Sequence, residues 1–155
     1  MKPFRRIVTG HDKNGRAVFV EDATCPHALP VAGDVITLEL WQHAGTPDNS
    51  GEYIDPVPPT ASVPPPPGGS VLRIVEFPAD PEIKPYLHRT ASLDYCVVLS
   101  GQVFAVLDDD ERLMTAGDVL VQRGTNHSWA NRSDEPALVL FVLVDAAPLP
   151  GLPPG

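Results

Sequence analysis

Residues 86–101 read YLHRTASLDYCVVLSG and carry a polar group at every second position from 88 to 94. In an extended strand such residues point to one face, so the sequence predicts a shared face for His88, Thr90, Ser92 and Asp94. Cys96 continues this face, whereas Tyr95, Val97 and Leu99 point the other way. The pattern is compatible with a metal site, a metal-free catalytic site or a polar strand end.

The composition excludes several classes of partner. The chain has 155 residues and a formal net charge of -9, which argues against nucleic acid and anionic membrane surfaces. No apolar run is long enough to span a bilayer, and the N-terminus has no apolar core of a secretory signal. Cys25 and Cys96 form no CxxC motif and are expected to be reduced thiols. A cytoplasmic location is therefore predicted.

Short β-prone runs separated by turn residues cover most of the chain, and no segment has the pattern of an amphipathic helix. Strands are predicted at 5–9, 16–20, 35–41, 71–77, 95–99, 102–107, 111–115, 118–122, 127–131 and 137–144. Residues 21–34 are predicted to form a loop. The spacing is typical of an all-β sandwich or barrel. The expected organisation is one domain over 1–155, with N-terminal strands at 5–42, a Pro/Gly-rich loop at 43–70, a barrel at 71–145 and a flexible tail at 146–155.

Two motifs stand in this pattern. The first is HxT-x3-D-x6-G from His88 to Gly101, and the second is GD-x3-QxG-x2-H-x3-N from Gly117 to Asn131. Together they resemble the two motifs of the cupin superfamily over about residues 71–145. The chain is similar to small single-domain cupins, which include uncharacterised bacterial members and fungal polyketide-pathway members. The resemblance implies an all-β jelly-roll barrel, here with an N-terminal β-hairpin extension and the long Pro-rich loop.

The sequence departs from the cupin pattern at three positions. Thr90 stands where the family has a second His, Asp94 where it has Glu, and Gln122 where it has Pro. The ligand set that the resemblance implies is therefore His88, Asp94 and His127, around one divalent ion of Fe, Mn, Zn or Ni. Thr90 is a poor ligand for such ions, and Asp is one methylene shorter than Glu. A metal-free site stays open as the alternative.

The catalytic residues predicted without a metal are again His88, Asp94 and His127. A His can act as general acid or base near neutral pH, and Asp94 could hydrogen-bond one His and hold its tautomer. This chemistry fits a lyase, dehydratase, decarboxylase or isomerase acting on a polar or aromatic, polyketide-like molecule. The alternatives are an Fe(II) dioxygenase and a non-enzymatic small-molecule-binding cupin.

Substrate contacts are predicted for side chains near the motif histidines. Trp129 would provide an aromatic wall, and strand alternation turns Arg89 away from the pocket, where a structural ion pair is expected. The predicted substrate-binding residues are Thr90, Ser92, Trp129, Asn131 and Arg73. The resemblance to cupins, many of which pair N-terminal strands, implies a homodimer formed through the hairpin at 5–20. A mass near the 16.6 kDa of one chain in light scattering would contradict it.

Overall fold

The computed structural model describes residues 3–32 and 35–151, and within these ranges the chain forms eleven strands and no helix. The described part of the chain therefore contains no helix that could cross a membrane. The strands are β1 Arg5–His11, β2 Ala17–Thr24, β3 Ala28–Ala32, β4 Val35–His43, β5 Ser70–Phe77, β6 Ser92–Ser100, β7 Gln102–Val106, β8 Glu111–Thr115, β9 Val119–Arg123, β10 Ser128–Ala130 and β11 Ala137–Asp145. Each predicted strand is present, and the all-β class is confirmed.

The strands form three antiparallel sheets. The largest has the order β3-β4-β5-β11-β6-β9, the second has the order β10-β7-β8, and β1 and β2 pair as a separate hairpin. The arrangement is that of a jelly-roll, although the two main sheets do not close into one continuous barrel. The hairpin extension and the long loop between β4 and β5 are both present, as the sequence predicted.

The prediction of a loop at 21–34 was wrong. β2 continues to Thr24, and β3 occupies Ala28–Ala32. β3 is the edge strand of the large sheet, where Pro30 is tolerated because one side of an edge strand has no partner for a backbone N–H. Proline therefore did not mark a loop here, and positions 33–34 lie outside the described residues.

The predicted tail is partly packed. The backbone N–H of Ala146 donates to the carbonyl of Ala91 at 3.0 Å, and the next residues line a cavity beside β6. Residues 152–155 lie outside the described ranges.

The core lies between the two main sheets and is built by alternation along the strands. In β6, the side chains of Ser92, Asp94, Cys96 and Val98 are buried, whereas Tyr95 and Leu99 are exposed. The predicted inward face of this strand is thus confirmed. Both cysteines are free thiols, and burial raises the pKa of Cys96 to about 12, so Cys96 packs as a core residue.

Gly101 makes the tight turn from β6 to β7 possible. Its φ is +73°, which is the left-handed region that favours glycine. A Cβ at this position would lie 2.7 Å from the carbonyl oxygen of Pro136. Both the backbone conformation and the close approach explain why the first motif ends in glycine.

A buried arginine ties the hairpin and the Pro-rich loop to the body of the domain. The Arg6 guanidinium donates to both carboxylate oxygens of Glu21 at 2.7 and 2.8 Å and to the carbonyl of Leu40 at 3.1 Å. It also pairs with Asp55 of the loop. Four parts of the chain therefore meet at one side chain that is only 7% exposed.

We expect Arg6→Met to lower the free energy of unfolding by about 2 kcal/mol, because two carboxylates and a carbonyl each lose a charged donor. The matched control is Arg5→Met, since Arg5 pairs with Asp22 on the exposed side of the same hairpin and exposed pairs contribute little. Urea unfolding of both variants tests this. Equal losses in the two variants would show that Arg6 does not anchor the hairpin.

Candidate functional site

Two histidines from distant parts of the chain face each other next to the large sheet. Their backbones form an isolated antiparallel bridge, with His88 N–H to His127 O at 2.9 Å and His127 N–H to His88 O at 2.8 Å. The two imidazole ring centroids are 4.3 Å apart. The bridge joins the segment before β6 to the segment before β10, so the two motifs meet through their histidines.

The side-chain amide of Gln122 links Asp94 and His127, which are two of the three predicted catalytic residues. β9 pairs with β6 in a register that places Gln122 opposite Asp94. The amide Nε2 of Gln122 donates to Asp94 Oδ2 at 2.7 Å and lies 3.1 Å from His127 Nε2. The hydrogen bond that was expected between Asp94 and a histidine is thus made by way of this amide, which is itself buried.

The hydrogen bonds of His127 define its tautomer. Its Nδ1 lies 2.9 Å from the carbonyl oxygen of Thr125, which can only accept, so Nδ1 carries the proton. Nε2 is then the acceptor of the Gln122 amide. Burial lowers the pKa of His127 to about 4, and His127 is therefore a neutral imidazole at pH 7.

Asp94 is a carboxyl group in an apolar site. Its side chain is 3% exposed, and burial raises its pKa, against the opposing effects of Ser92, Gln122 and Arg73. The second oxygen, Oδ1, has no hydrogen-bond partner among the residues that the structure describes. Burial thus favours the protonated form of this acid.

A buried ion pair stands beside Asp94. Arg73 Nε lies 3.1 Å from Glu39 Oε1, and Arg73 Nη2 donates to the carbonyl of Ser62 in the Pro-rich loop at 2.6 Å. Burial raises the pKa of Glu39, and the charge of Arg73 opposes this shift. Arg73 therefore stands between two buried carboxyl groups and also fixes the loop against the pocket.

Several of these side chains line a pocket of about 160 Å³, and the walls of this pocket are mostly apolar. Its polar members are Arg73, His88, Thr90, Asp94 and His127, and its apolar members are Val31, Val35, Val63, Val75, Phe77, Trp129, Phe141 and Leu143. The Trp129 ring packs edge-on to Phe141 at 5.3 Å and to His127 at 6.4 Å between centroids. A larger cleft of about 760 Å³ shares His88, Thr90 and Trp129 with this pocket.

The five residues predicted to bind substrate lie in three places. Thr90, Trp129 and Arg73 line the pocket, whereas Ser92 lines a separate cavity on the other side of the same segment. The Asn131 amide donates to the carbonyls of Phe77 and Glu135, and its oxygen accepts from Ser133 N–H and Oγ–H. Asn131 lines the larger cleft, but its polar atoms are already used in holding the turn before β11.

The arrangement does not fit a metal ion at the implied ligands. No three of the described His, Cys, Asp and Glu side chains converge as ligands would. Asp94 Oδ2 and His127 Nε2, which would bind the ion, both face the N–H groups of Gln122. Thr90 offers no replacement for the missing histidine. The amide therefore occupies the position between these ligand atoms.

Sequence reasoning did not identify Gln122 and Glu39 as site residues. Gln122 stood out only as a departure from the family motif, and its contact with Asp94 depends on the β6–β9 register. For Glu39, the signal was present, because Thr37 and Glu39 alternate with apolar residues along β4 and so share one face.

Comparison with known proteins gives the family. Residues 73–143 match the model of the Cupin domain. The chain is 41% identical to phomopsin biosynthesis cluster protein C' of Diaporthe leptostromiformis, over 93% of this chain and 79% of that protein. It is 37% identical to a cupin-domain-containing oxidoreductase of Aspergillus ruber, over 90% of this chain and 71% of that protein.

Comparison with solved structures gives the same fold. A Cupin 2 conserved barrel domain protein from Salinispora arenicola superposes with a TM-score of 0.51 at 17% identity, over 76% of this chain and 82% of that one. This likeness concerns the fold alone. The domain match covers residues 73–143, and the identity to a cupin-domain relative extends over nine-tenths of the chain. The chain therefore belongs to the cupin family.

Proposed function

We propose that this cupin is a small-molecule enzyme that performs metal-free acid–base chemistry of the lyase, dehydratase, decarboxylase or isomerase type. The observation that carries the proposal is the pairing of an accessible histidine, His88, with a buried carboxyl group, Asp94, in one aromatic-walled pocket. His88 presents an imidazole to the pocket, and burial favours the protonated form of Asp94, so the two groups can serve as base and acid.

His88 is the base in this proposal. Its Nδ1 lies 3.3 Å from the carbonyl oxygen of Tyr86, an acceptor, so the proton sits on Nδ1 and the lone pair on Nε2. His127 cannot take this role as easily, because its Nε2 already accepts from Gln122. His127 instead serves as a positioning residue that holds the Gln122 amide.

Asp94 is the acid. A proton on Oδ1 would be donated to a substrate carbonyl oxygen while His88 Nε2 removes a proton from the neighbouring carbon, which yields an enol. Return of the enol proton to Asp94 would then expel a β-hydroxyl group, which takes the proton held by His88 and leaves as water. Arg73 stabilises the Asp94 carboxylate that exists between the two steps.

The pocket walls favour a planar, mainly apolar substrate with one carbonyl group. Phe77, Trp129 and Phe141 form the aromatic side, and flat rings bind well against such surfaces. Relatives named for the phomopsin and oryzines biosynthesis clusters support a role in secondary metabolism. An aromatic ketone of polyketide type meets both conditions.

A second candidate is an oxidoreductase, because several relatives carry that name. A dioxygenase of this kind would need a metal ion between His88, Asp94 and His127. Gln122 would first have to leave Asp94 and His127, and Thr90 would leave one position without a protein ligand.

The first prediction concerns His88. We expect the protein to catalyse exchange of the α-proton of aromatic β-hydroxy ketones in D2O, followed by proton NMR, and His88→Gln to slow this exchange by about a hundredfold or more. His11→Gln, on the exposed hairpin, is the control. Exchange that persists in His88→Gln would exclude His88 as the base.

The second prediction concerns the protonation state of His127. The unfolded imidazole binds a proton below its ordinary pKa of 6.5, whereas the folded one does so only below about 4. The wild type should therefore lose about 3 kcal/mol relative to His127→Gln as the pH falls from about 7 to 4. Urea unfolding of both proteins across this range measures the difference. If the difference in the free energy of unfolding between the two proteins did not change with pH, His127 would not be held neutral.

The third prediction separates the two candidates. After dialysis against Zn²⁺, elemental analysis should find far less than one ion per chain in the wild type. Thr90→His combined with Gln122→Ala restores a third nitrogen ligand and removes the amide, so we expect about one ion per chain in the double variant. Thr90→His alone keeps the amide and serves as the control.

Stoichiometric metal in the wild type would instead favour the oxidoreductase. Binding of Ni²⁺ gives an independent readout in the double variant. It should quench the fluorescence of Trp129, whose ring centroid lies 6.4 Å from that of His127.

A further inference from the structure

A second cavity lies beside β6 and β9, on the far side of the segment that carries the first motif. It measures about 300 Å³, and two arginines, Arg89 and Arg123, line it. Most of its other lining residues are apolar, namely Ala91, Leu93, Ala146, Ala147, Pro148 and Leu149. Thr90 lines both this cavity and the catalytic pocket, and Arg89 and Ala91 also line the larger cleft beside that pocket, so only one segment of chain separates the two sides.

The two arginines lack the carboxylate partners that other arginines of the chain have. Arg6 and Arg73 are paired with glutamates, and Arg132 is paired with Glu111. Within residues 3–32 and 35–151, neither Arg89 nor Arg123 forms an ion pair or a side-chain hydrogen bond. The ion pair expected for Arg89 is therefore not formed, although the chain contains 20 acidic residues.

The Arg89 guanidinium also has an unsatisfied donor. Its Nε is buried and has no hydrogen-bond partner in the described part of the chain. A buried N–H without a partner costs free energy, and Arg123, which is exposed, brings a second cation to the same cavity. An anion in the cavity would give the Arg89 donor a partner, since a guanidinium binds an oxyanion through paired N–H groups.

We propose that this cavity binds an organic anion, with its carboxylate between Arg89 and Arg123 and its apolar body against Leu93 and Leu149. Inorganic phosphate shares the oxyanion chemistry but has no apolar body to cover these side chains. The proposal does not depend on the reaction in the catalytic pocket. The ligand would contact Thr90 from the side opposite to His88.

The experiment uses benzoate as the probe, with benzamide and phosphate for comparison, in calorimetric titrations of the full chain at constant ionic strength. We expect benzoate to bind in the millimolar range or tighter, benzamide not to bind, and phosphate to bind more weakly than benzoate. Arg89→Gln and Arg123→Gln should each weaken benzoate binding about tenfold or more, because each removes a charged pair of donors.

Two controls locate the binding. Arg16→Gln changes an exposed arginine in the β1–β2 turn and should leave the affinity unchanged, so an equal loss there would overturn the proposal in favour of general charge screening. His88→Gln should also leave it unchanged, whereas a loss in that variant would place benzoate in the catalytic pocket and overturn the separate site. Equal binding of benzamide would exclude an anion site. If phosphate bound as tightly as benzoate, the proposal that the ligand is an organic anion would be overturned.

Discussion

The Gln122 amide is the contact on which the arrangement of the pocket depends. A carboxyl group and an imidazole are buried within reach of each other, and each needs a partner because water is excluded. One amide nitrogen supplies a donor to both, at 2.7 Å to Asp94 and 3.1 Å to His127. It also joins β9 to β6 and to the loop before β10. The positions of the two groups are therefore determined together.

The walls of the pocket depend on a second buried contact. Arg73 binds Glu39 on the neighbouring strand β4 and the Ser62 carbonyl in the Pro-rich loop. Arg6 holds the same loop at Asp55 and attaches it to the hairpin. Two buried guanidinium groups thus fix the loop at both ends of its central part, and Val63 lies against the pocket. In this structure the loop forms a wall of the pocket, and charged side chains fix its position.

Much of the fold could be predicted because it is determined by local pattern. Alternation along 88–98 correctly predicted which side chains of β6 face inward, and the turn residues separated the strands. β3 could not be predicted, since a proline in a short run is compatible with either a loop or an edge strand, and only the neighbouring strands decide between them. Long-range register was equally inaccessible. The contact of Gln122 with Asp94 follows from the pairing of β6 with β9, which are separated by two strands of the other sheet.

The three departures from the family motif have one physical consequence when they are taken together. A divalent ion next to a carboxylate keeps that carboxylate ionised, because the positive charge lowers its pKa. An amide carries no net charge, so it leaves the effect of burial dominant, and the pKa of Asp94 is raised. Replacement of a metal ligand by Thr90, shortening of the acid to Asp94 and introduction of Gln122 each disfavour a bound metal ion at this position. In the chemistry proposed for this chain, a proton on Asp94 polarises the oxygen of a bound substrate, which is a role that a divalent metal ion can also play in enzymes.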